Sequence, residues 1–300
     1  MTLLADYGLR RREWIPSEAV VALLGEFGVT AGGARAALSR LARRQMLERL
    51  HRGRRTAYRL TSGAAAALAQ GGAAVVGFPD LAERWDGRWT LVAFSLPEPS
   101  DAPRRALRTT LRWLGFVPLY DGLWVAPHDL PPGSAAAFAD LGPGALTVFR
   151  AERLDDPRQA GRDPRDAWDL AGVRGRYDTF VERWSALLPR IAADAVGGTE
   201  ALHARTEVMD TYRHFLSLDP RLPARLMPDG WPRARAREVF AAVYDGLLEV
   251  ALAHVRETVD RFEGADAPVL EAHTVADLLA GLPDLPSPVP GAEEGGRVKG

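Results

Sequence analysis

The chain has 300 residues, of which 47% are hydrophobic and 26% are charged, as is ordinary for a protein that buries its own core. It contains no Cys, which excludes disulfides, Cys-ligated zinc, iron–sulfur clusters and thiol nucleophiles. There is no apolar run of about eighteen residues and no secretory leader pattern, so we expect a cytoplasmic protein without a membrane span.

The net charge of −1 conceals a strong asymmetry along the chain. Residues 1–63 contain twelve Arg and five acidic residues, a net charge of +7, which leaves −8 on the remainder. The only Lys is Lys299, so nearly all of the positive charge is guanidinium. A basic segment joined to an acidic one is typical of a protein that binds a polyanion.

The basic segment is predicted to contain helices and then a hairpin. Residues 3–8 form a short apolar opening, and Ser17 is expected to cap a helix over 18–27. A second helix is expected over 34–47, and strands over 48–50 and 56–60 flank a turn at Gly53. Helix, tight turn, helix and basic hairpin is the order of a winged helix-turn-helix.

The second helix separates an apolar face from a basic one when its residues are placed at about 100° intervals. The inner face carries Ala34, Ala37, Leu38 and Leu41, and the outer face mixes arginines with small residues. Small side chains allow close approach to a groove, and a guanidinium can meet guanine or phosphate. A solvated basic face is the alternative, which the neighbouring Arg-rich hairpin disfavours. The expected DNA-binding residues are Arg35, Ser39, Arg40, Arg43 and Arg44, with Arg52, Arg54 and Arg55 on phosphate or in the minor groove.

The middle of the chain alternates strands and helices. A short helix over 64–69 is expected to break at Gly71-Gly72 before this region begins. Strands, helices and an Asp121-Gly122 turn then follow in the order β-α-β-β-α-β, which is that of the ferredoxin-like fold. The expected strands are 89–96, 116–120, 123–126 and 145–150, and the expected helices are 104–114 and 134–141.

After a polar linker at 154–166 the pattern is helical. Helices are expected over 177–188, 200–217 and 235–262, with prolines interrupting between the last two. The fold class is therefore α+β, and the expected domains are a winged helix (1–63), a ferredoxin-like domain (83–155), a helical domain (165–282) and a disordered tail (283–300).

Spaced motifs cover nearly the whole chain and occur in one family in the same order. The sequence resembles the PaaX-like transcriptional repressors of phenylacetate catabolism, whose central domain is Cas2-like. The resemblance is carried by 3–8, 35–44 and 53–61 in the basic segment, by 85–89, 111–116 and 122–127 in the middle, and by 212–213, 219–223 and 227–232 towards the end.

The resemblance implies a homodimer on palindromic double-stranded DNA that is released when an acyl-CoA such as phenylacetyl-CoA binds. If the effector is an aromatic acyl-CoA, aromatic and basic side chains are candidates to contact it. Large aromatic side chains nevertheless belong more often to the core than to a ligand pocket. For the basic residue of this set the alternative is a structural ion pair with Asp219. The candidate effector-binding residues are Trp113, Trp124, Tyr212, Arg213 and Trp231.

The sequence departs from the family pattern at three places. Gln45 stands where the family tends to have the Gly that ends the recognition helix, so we expect this helix to run on or to end less sharply. Gly32-Gly33 adds flexibility before that helix, and Arg233 replaces a Gly after Trp231-Pro232.

An enzyme is the alternative function. A Cas2-type nuclease would need an Asp at the end of the first middle strand, where Ser95 stands, and a hydroxyl does not replace a carboxylate for Mg²⁺. The six His residues show no metal-ligand spacing, and no GxSxG, Walker or GxGxxG motif occurs. We therefore expect no catalytic residues, no metal and no cofactor, and keep a metal-dependent nuclease or an RNA-binding protein as alternatives.

Overall fold

The computed structural model describes residues 1–53, 55–78, 85–95, 101–130, 138, 146–154, 162–263 and 267–282. The chain forms two compact units. The first combines Met1–Phe78, Thr179–Leu216 and Arg233–Gly300, and the second combines Pro79–Asp178 and Ser217–Pro232. The described residues form helices and two antiparallel sheets, which confirms the α+β class.

The N-terminal segment contains the expected helices and hairpin with one strand more. The additional strand, β1 (Ile15–Pro16), is only two residues long and precedes the hairpin strands β2 (Leu47–Arg52) and β3 (Arg55–Leu60). It pairs with β3, so the sheet has the order β1-β3-β2. Two residues are too few for a period-2 pattern, which is why this strand was not predicted. The elements are α1 (Thr2–Gly8), β1 (Ile15–Pro16), α2 (Ser17–Glu26), α3 (Ala31–Arg43), β2 (Leu47–Arg52), β3 (Arg55–Leu60) and α4 (Ser62–Gly77).

Both helix starts in this segment differ from the expectation. Ser17 is the first residue of α2 rather than its cap; Pro16 occupies the cap position, and no side chain accepts a hydrogen bond there. Helix α3 begins at Ala31, three residues before the predicted start, because the Thr30 hydroxyl accepts a 3.2 Å hydrogen bond from the Gly33 amide. A capping Thr thus extends α3 through two glycines.

The end of α3 corrects a second expectation. The helix does not run on to residue 47: it stops at Arg43, and Gln45 adopts a left-handed φ of 57°. The Gln45 amide donates to the Ala42 carbonyl and the Met46 amide to the Leu41 carbonyl, each at 3.0 Å. These two bonds form a Schellman motif, which ends the helix although the left-handed residue is not Gly.

Helix α4 passes through the glycines that predicted a break. Gly71 and Gly72 lie within its 16 residues. A β-carbon on Gly72 would stand 2.7 Å from Leu278 Cδ2, so this Gly permits close packing against the C-terminal part of the chain. Tertiary packing therefore outweighs the low helix propensity of Gly.

The second unit contains an antiparallel sheet whose strands lie in the order Val117–Tyr120 (β5), Leu123–Ala126 (β6), Trp89–Phe94 (β4) and Leu146–Ala151 (β7). Leu107 and Leu111 pack on one face with Val92 and Trp124, and the other face packs Trp89 and Val125 against Leu222 and Leu226. The expected helix 134–141 lies outside the described residues except for position 138. The elements are β4 (Trp89–Phe94), α5 (Asp101–Trp113), β5 (Val117–Tyr120), β6 (Leu123–Ala126) and β7 (Leu146–Ala151).

The C-terminal region is helical, and the predicted helices 200–217 and 235–262 are each divided. The second division falls at Leu247, where Gly246 lies so close to Ile191 that a β-carbon would be 2.8 Å from its Cγ2. The predicted tail, 283–300, lies outside the described residues. The helices are α6 (Leu170–Ser185), α7 (Leu188–Ala192), α8 (Gly198–Tyr212), α9 (Phe215–Leu218), α10 (Arg233–Gly246), α11 (Leu248–Glu263) and α12 (Val275–Leu279).

Among the described residues, every helix is too short or too polar to traverse a bilayer.

Candidate nucleic-acid interface

Helix α3 presents a basic outer face. Its inner residues Ala34 and Leu38 are 0% and 2% exposed and hold the helix against its own unit. The side chains at the outer positions are exposed, except that Ser39 is half-buried. The exposed outer residues are Arg35, Ala36, Arg40, Arg43 and Arg44.

These guanidiniums differ from other arginines of the segment in having no partner. Within the described part of the chain, Arg35, Arg40, Arg43 and Arg44 make no ion pair and no side-chain hydrogen bond. Five arginines outside α3 are paired in the described residues: Arg10 and Arg11 with Glu271, Arg12 and Arg59 with Glu48, and Arg55 with Glu263. The structure thus divides the basic segment into arginines that stabilise the fold and arginines free to meet an anion.

The β2–β3 hairpin carries the second set of predicted residues. The strands pair from Leu47↔Leu60 to Arg52↔Arg55, and Gly53 makes the turn with a left-handed φ of 61°. The Arg52 side chain and Arg54 lie outside the described residues. Arg55 is exposed, but its guanidinium lies 3.7 Å from the Glu263 carboxylate, so it is already partly neutralised.

Two further residues bear on this hairpin and were missed by the sequence argument. Arg49 is exposed on β2 and has no partner within the described residues. Trp14 lies under the Arg59 guanidinium, 4.4 Å from it, while Arg59 Nε donates to Glu48 Oε2 at 2.7 Å. Side chains alternate between the two faces of a strand, and this alternation along β2 could have indicated that Arg49 is exposed. The contact of Trp14 with Arg59 depends on tertiary packing and has no such local signal.

The candidate effector residues fall into different surroundings. Tyr212 is fully buried and its ring stacks on Phe240 with centroids 4.1 Å apart, so it is a core residue of the first unit. The next residue, Arg213, is exposed and its guanidinium lies 3.2 Å from Asp210 on the same turn of helix. The structure therefore shows an ion pair of Arg213 with Asp210, where the alternative considered from the sequence was Asp219.

The tryptophans of that set belong to the second unit. Trp124 is 1% exposed within the core on one face of the sheet. Trp231 is half-buried, and its Nε1 donates to Asp219 Oδ2 at 3.4 Å, an atom that also accepts from the Tyr177 hydroxyl at 2.7 Å. The Trp113 side chain lies outside the described residues.

A buried polar cluster connects the first helix to the C-terminal helices within the first unit. Tyr244 Oη donates to Asp6 Oδ1, and Arg205 donates to the carbonyls of Tyr244 and His273. Burial raises the pKa of Asp6 to about 6, although the Arg205 charge and the Tyr244 hydrogen bond oppose this. Burial lowers the pKa of His273 to about 3, so its ring is neutral in the folded protein.

The position and the residues that a metal-dependent nuclease would use can be compared with the structure. Ser95, at the position where a nuclease would carry an acid, is exposed just beyond β4. Within the described residues, no three His, Asp or Glu side chains come together as a metal site.

Three family models match this chain. They are described as the PaaX-like protein (residues 1–64), the PaaX protein central Cas2-like domain (82–165) and the PaaX-like protein C-terminal domain (168–257). The transcriptional repressor PaaX of Escherichia coli (strain K12) is 28% identical over 250 residues, which are 81% of this chain and 77% of that protein.

A solved structure shares the fold. The uncharacterized protein Rv0674 from Mycobacterium tuberculosis superposes with a TM-score of 0.53 at 23% identity, covering 84% of this chain and 95% of that one. Because the three family models together match more than half of the sequence, in the order of the motifs, the chain belongs to the PaaX-like protein family.

Proposed function

We propose that this protein is a DNA-binding transcriptional repressor whose residues 1–63 act as a winged helix-turn-helix. The observation that carries the proposal is the row of exposed guanidiniums on α3 that have no partner among the described residues. The order of α2, α3 and the β2–β3 hairpin supports it, as does the likeness to the transcriptional repressor PaaX.

In this proposal α3 enters the major groove. Arg35, Ser39, Arg40 and Arg43 face the bases, where a guanidinium can bridge guanine O6 and N7, and Arg44 meets the backbone. Gly32, Gly33 and Ala36 present little bulk on the exposed side of the helix, so the backbone can approach closely. Arg52, Arg54 and Arg55 of the hairpin meet phosphate or the minor groove.

The finer functional assignments rest on the family resemblance. A homodimer in the cytoplasm would place two α3 helices about 34 Å apart on a palindromic operator. Residues 83–155 would be a ferredoxin-like module and 165–282 a helical one, without catalytic residues. The regulated process would be the catabolism of phenylacetate or a related aromatic acid, with an acyl-CoA such as phenylacetyl-CoA releasing the DNA by changing the spacing of the two helices.

The test is a gel shift with operator DNA selected from random duplexes by the wild-type protein. Replacing Arg40 and Arg43 with Ala should lower affinity by at least tenfold, since each removes a charge-assisted contact. Arg176→Ala is the matched control, because Arg176 is an exposed arginine of α6 with no partner in the described residues. Equal affinity of the double variant and the control would refute the assignment.

A competition assay separates the proposal from the RNA-binding alternative. Duplex RNA of the same sequence should not displace the operator, because the deep and narrow major groove of A-form RNA does not admit a helix. Displacement by RNA at equal concentration would contradict a DNA-binding role.

A further inference from the structure

The second unit contains an open cleft of about 850 Å³, and its lining includes Trp124 of the candidate effector-binding set. It lies where α5 passes the β5–β6 hairpin and where the segment after residue 161 returns to the sheet. Its size is within the range of small-molecule sites. The lining residues that matter here are Arg108, Arg112, Tyr120, Asp121, Trp124 and Arg162.

The cleft is strongly basic. Among the described residues, three guanidiniums and one carboxylate line it, which leaves an excess of two positive charges. Arg108 and Arg112 stand one helical turn apart on α5, and neither guanidinium makes an ion pair or a hydrogen bond within the described part of the chain. Two neighbouring like charges repel each other, so an anion bound between them lowers the electrostatic free energy of the pair.

The third guanidinium is held in place by the backbone. Arg162 donates to the Leu119 carbonyl at 3.1 Å and to the Asp166 carbonyl at 2.9 Å. An arginine has five N–H donors, so these two bonds orient the group and leave donors for a ligand. Carbonyl oxygens do not neutralise the charge, which therefore remains available.

Flat aromatic surface adjoins the charges. The Arg112 guanidinium lies 5.5 Å from the centroid of the Trp124 ring, which limits where that side chain can go. Tyr120 is 54% exposed at the lip of the cleft, on the edge strand β5, and its ring is free to stack on a planar group.

We propose that this cleft is a binding site for a small molecule that carries a phosphomonoester and a planar group. Arg108, Arg112 and Arg162 hold the phosphate, and Tyr120 covers the planar group. A phosphomonoester carries about −1.5 to −2 charges at neutral pH and so matches the excess of positive charge, which a single carboxylate or one phosphodiester of DNA does not. A concave wall also fits a small ligand better than a duplex.

The experiment is calorimetric titration of the full-length protein with AMP, inorganic pyrophosphate and adenosine. AMP and pyrophosphate should bind, and adenosine should bind at least tenfold more weakly than AMP because it lacks the phosphate. The paired replacement of Arg108 and Arg112 with Gln should weaken AMP binding at least tenfold. Arg105→Gln is the control, since Arg105 is an exposed arginine of the same helix outside the cleft.

Single variants test the role of each residue in the cleft separately. Tyr120→Ala should weaken AMP binding without changing pyrophosphate binding, because only the planar group touches the ring. Arg108→Lys and Arg112→Lys keep the charge and should retain part of the affinity, so they serve if the Gln pair fails to fold. Thermal melting of each variant shows whether the fold is intact.

Several outcomes overturn the proposal. These are no binding of either phosphorylated probe, equal AMP affinity in the wild type and the Gln pair, and operator DNA displacing AMP while the Gln pair loses DNA affinity. The last outcome would assign the cleft to the duplex. The proposed repressor function is tested separately, because replacing Arg40 and Arg43 with Ala should leave AMP binding unchanged.

Discussion

The hydroxyl of Tyr244 donates a 2.7 Å hydrogen bond to the carboxylate of Asp6, although 238 positions separate the two residues along the chain. Both are essentially inaccessible to water, with 0% and 2% of their surfaces exposed. His273 Nε2 lies 3.0 Å from the same hydroxyl. Because the hydroxyl has one hydrogen and gives it to Asp6, His273 must donate to it from Nε2. Helix α1 is thereby joined to α10 by a directional contact rather than by apolar packing alone.

Removing this hydroxyl should destabilise the protein. Tyr244→Phe leaves the Asp6 carboxylate buried without that donor, and we expect a loss of about 1–3 kcal/mol in the free energy of unfolding. Urea unfolding followed by circular dichroism measures it. Tyr58→Phe is the control, because Tyr58 is buried but its hydroxyl makes no hydrogen bond in the described residues. Equal losses in the two variants would show that the contact with Asp6 contributes nothing specific.

The pKa of Asp6 predicts a pH dependence of stability. Its pKa rises from 3.8 to about 6 on folding, so between these values the folded protein holds a proton that the unfolded chain has lost. The contribution of Asp6 to stability therefore falls as pH rises through this window and is constant above it. Asp6→Asn removes this pH dependence. Relative to the wild type, its free energy of unfolding should therefore increase between pH 4 and 7, by an amount on the order of 3 kcal/mol.

His273 changes the unfolding free energy with pH in the opposite direction to Asp6 over an overlapping pH range. The comparison must therefore use two proteins that both retain His273. Its pKa falls from 6.5 to about 3, so it destabilises the folded state increasingly as pH decreases below 6.5. Both proteins contain it, and the difference between them cancels its effect. A difference in unfolding free energy that does not change with pH would contradict the assignment to Asp6.

The end of α3 offers a stabilising substitution. Gln45 adopts a φ of 57°, a conformation that costs a residue with a β-carbon about 1–2 kcal/mol. Gln45→Gly removes this strain but adds backbone freedom to the unfolded chain, so the net gain should be about 0.5–1 kcal/mol. Gln45→Ala keeps the β-carbon and should show no such gain. The midpoint of urea unfolding decides, and a Gly variant no more stable than the Ala variant would contradict the strain argument.

The adjacent glycines Gly71 and Gly72 in α4 should respond differently to one added methyl group. A β-carbon on Gly71 meets nothing within 4 Å, so Gly71→Ala should stabilise the helix by about 0.5–1 kcal/mol. On Gly72 it would meet the buried Leu278 side chain, and overpacking should cost about 1–3 kcal/mol. Thermal melting of both variants tests this, and similar melting temperatures would mean that the packing of α4 on Leu278 is loose.

The salt dependence of DNA binding distinguishes free from paired arginines. Because Arg44 is proposed to meet a backbone phosphate, Arg44→Ala should reduce the slope of log affinity against log salt by about one. Arg11→Ala is the control, because the Arg11 guanidinium already pairs with Glu271. The same reasoning predicts a flatter slope for Arg54→Ala. Equal slopes for the wild type and the Arg44 variant would remove Arg44 from the phosphate contacts.

Much of the local structure follows from the sequence alone. The apolar stripe of α3, the left-handed Gly53 between two strands and the alternating strands of the central sheet depend on neighbours a few positions away, so period and turn chemistry suffice to predict them. The concentration of arginine near the N-terminus is likewise a property of the sequence.

Only the tertiary structure decided which of those arginines are free. Arg10 and Arg11 are paired with Glu271, whereas the arginines of α3 form no ion pair in the described residues. It also decided that α4 continues through two glycines and that one predicted helix divides at Leu247. In each case the partner is distant in sequence, and packing between distant residues outweighs the small free energies of local propensity.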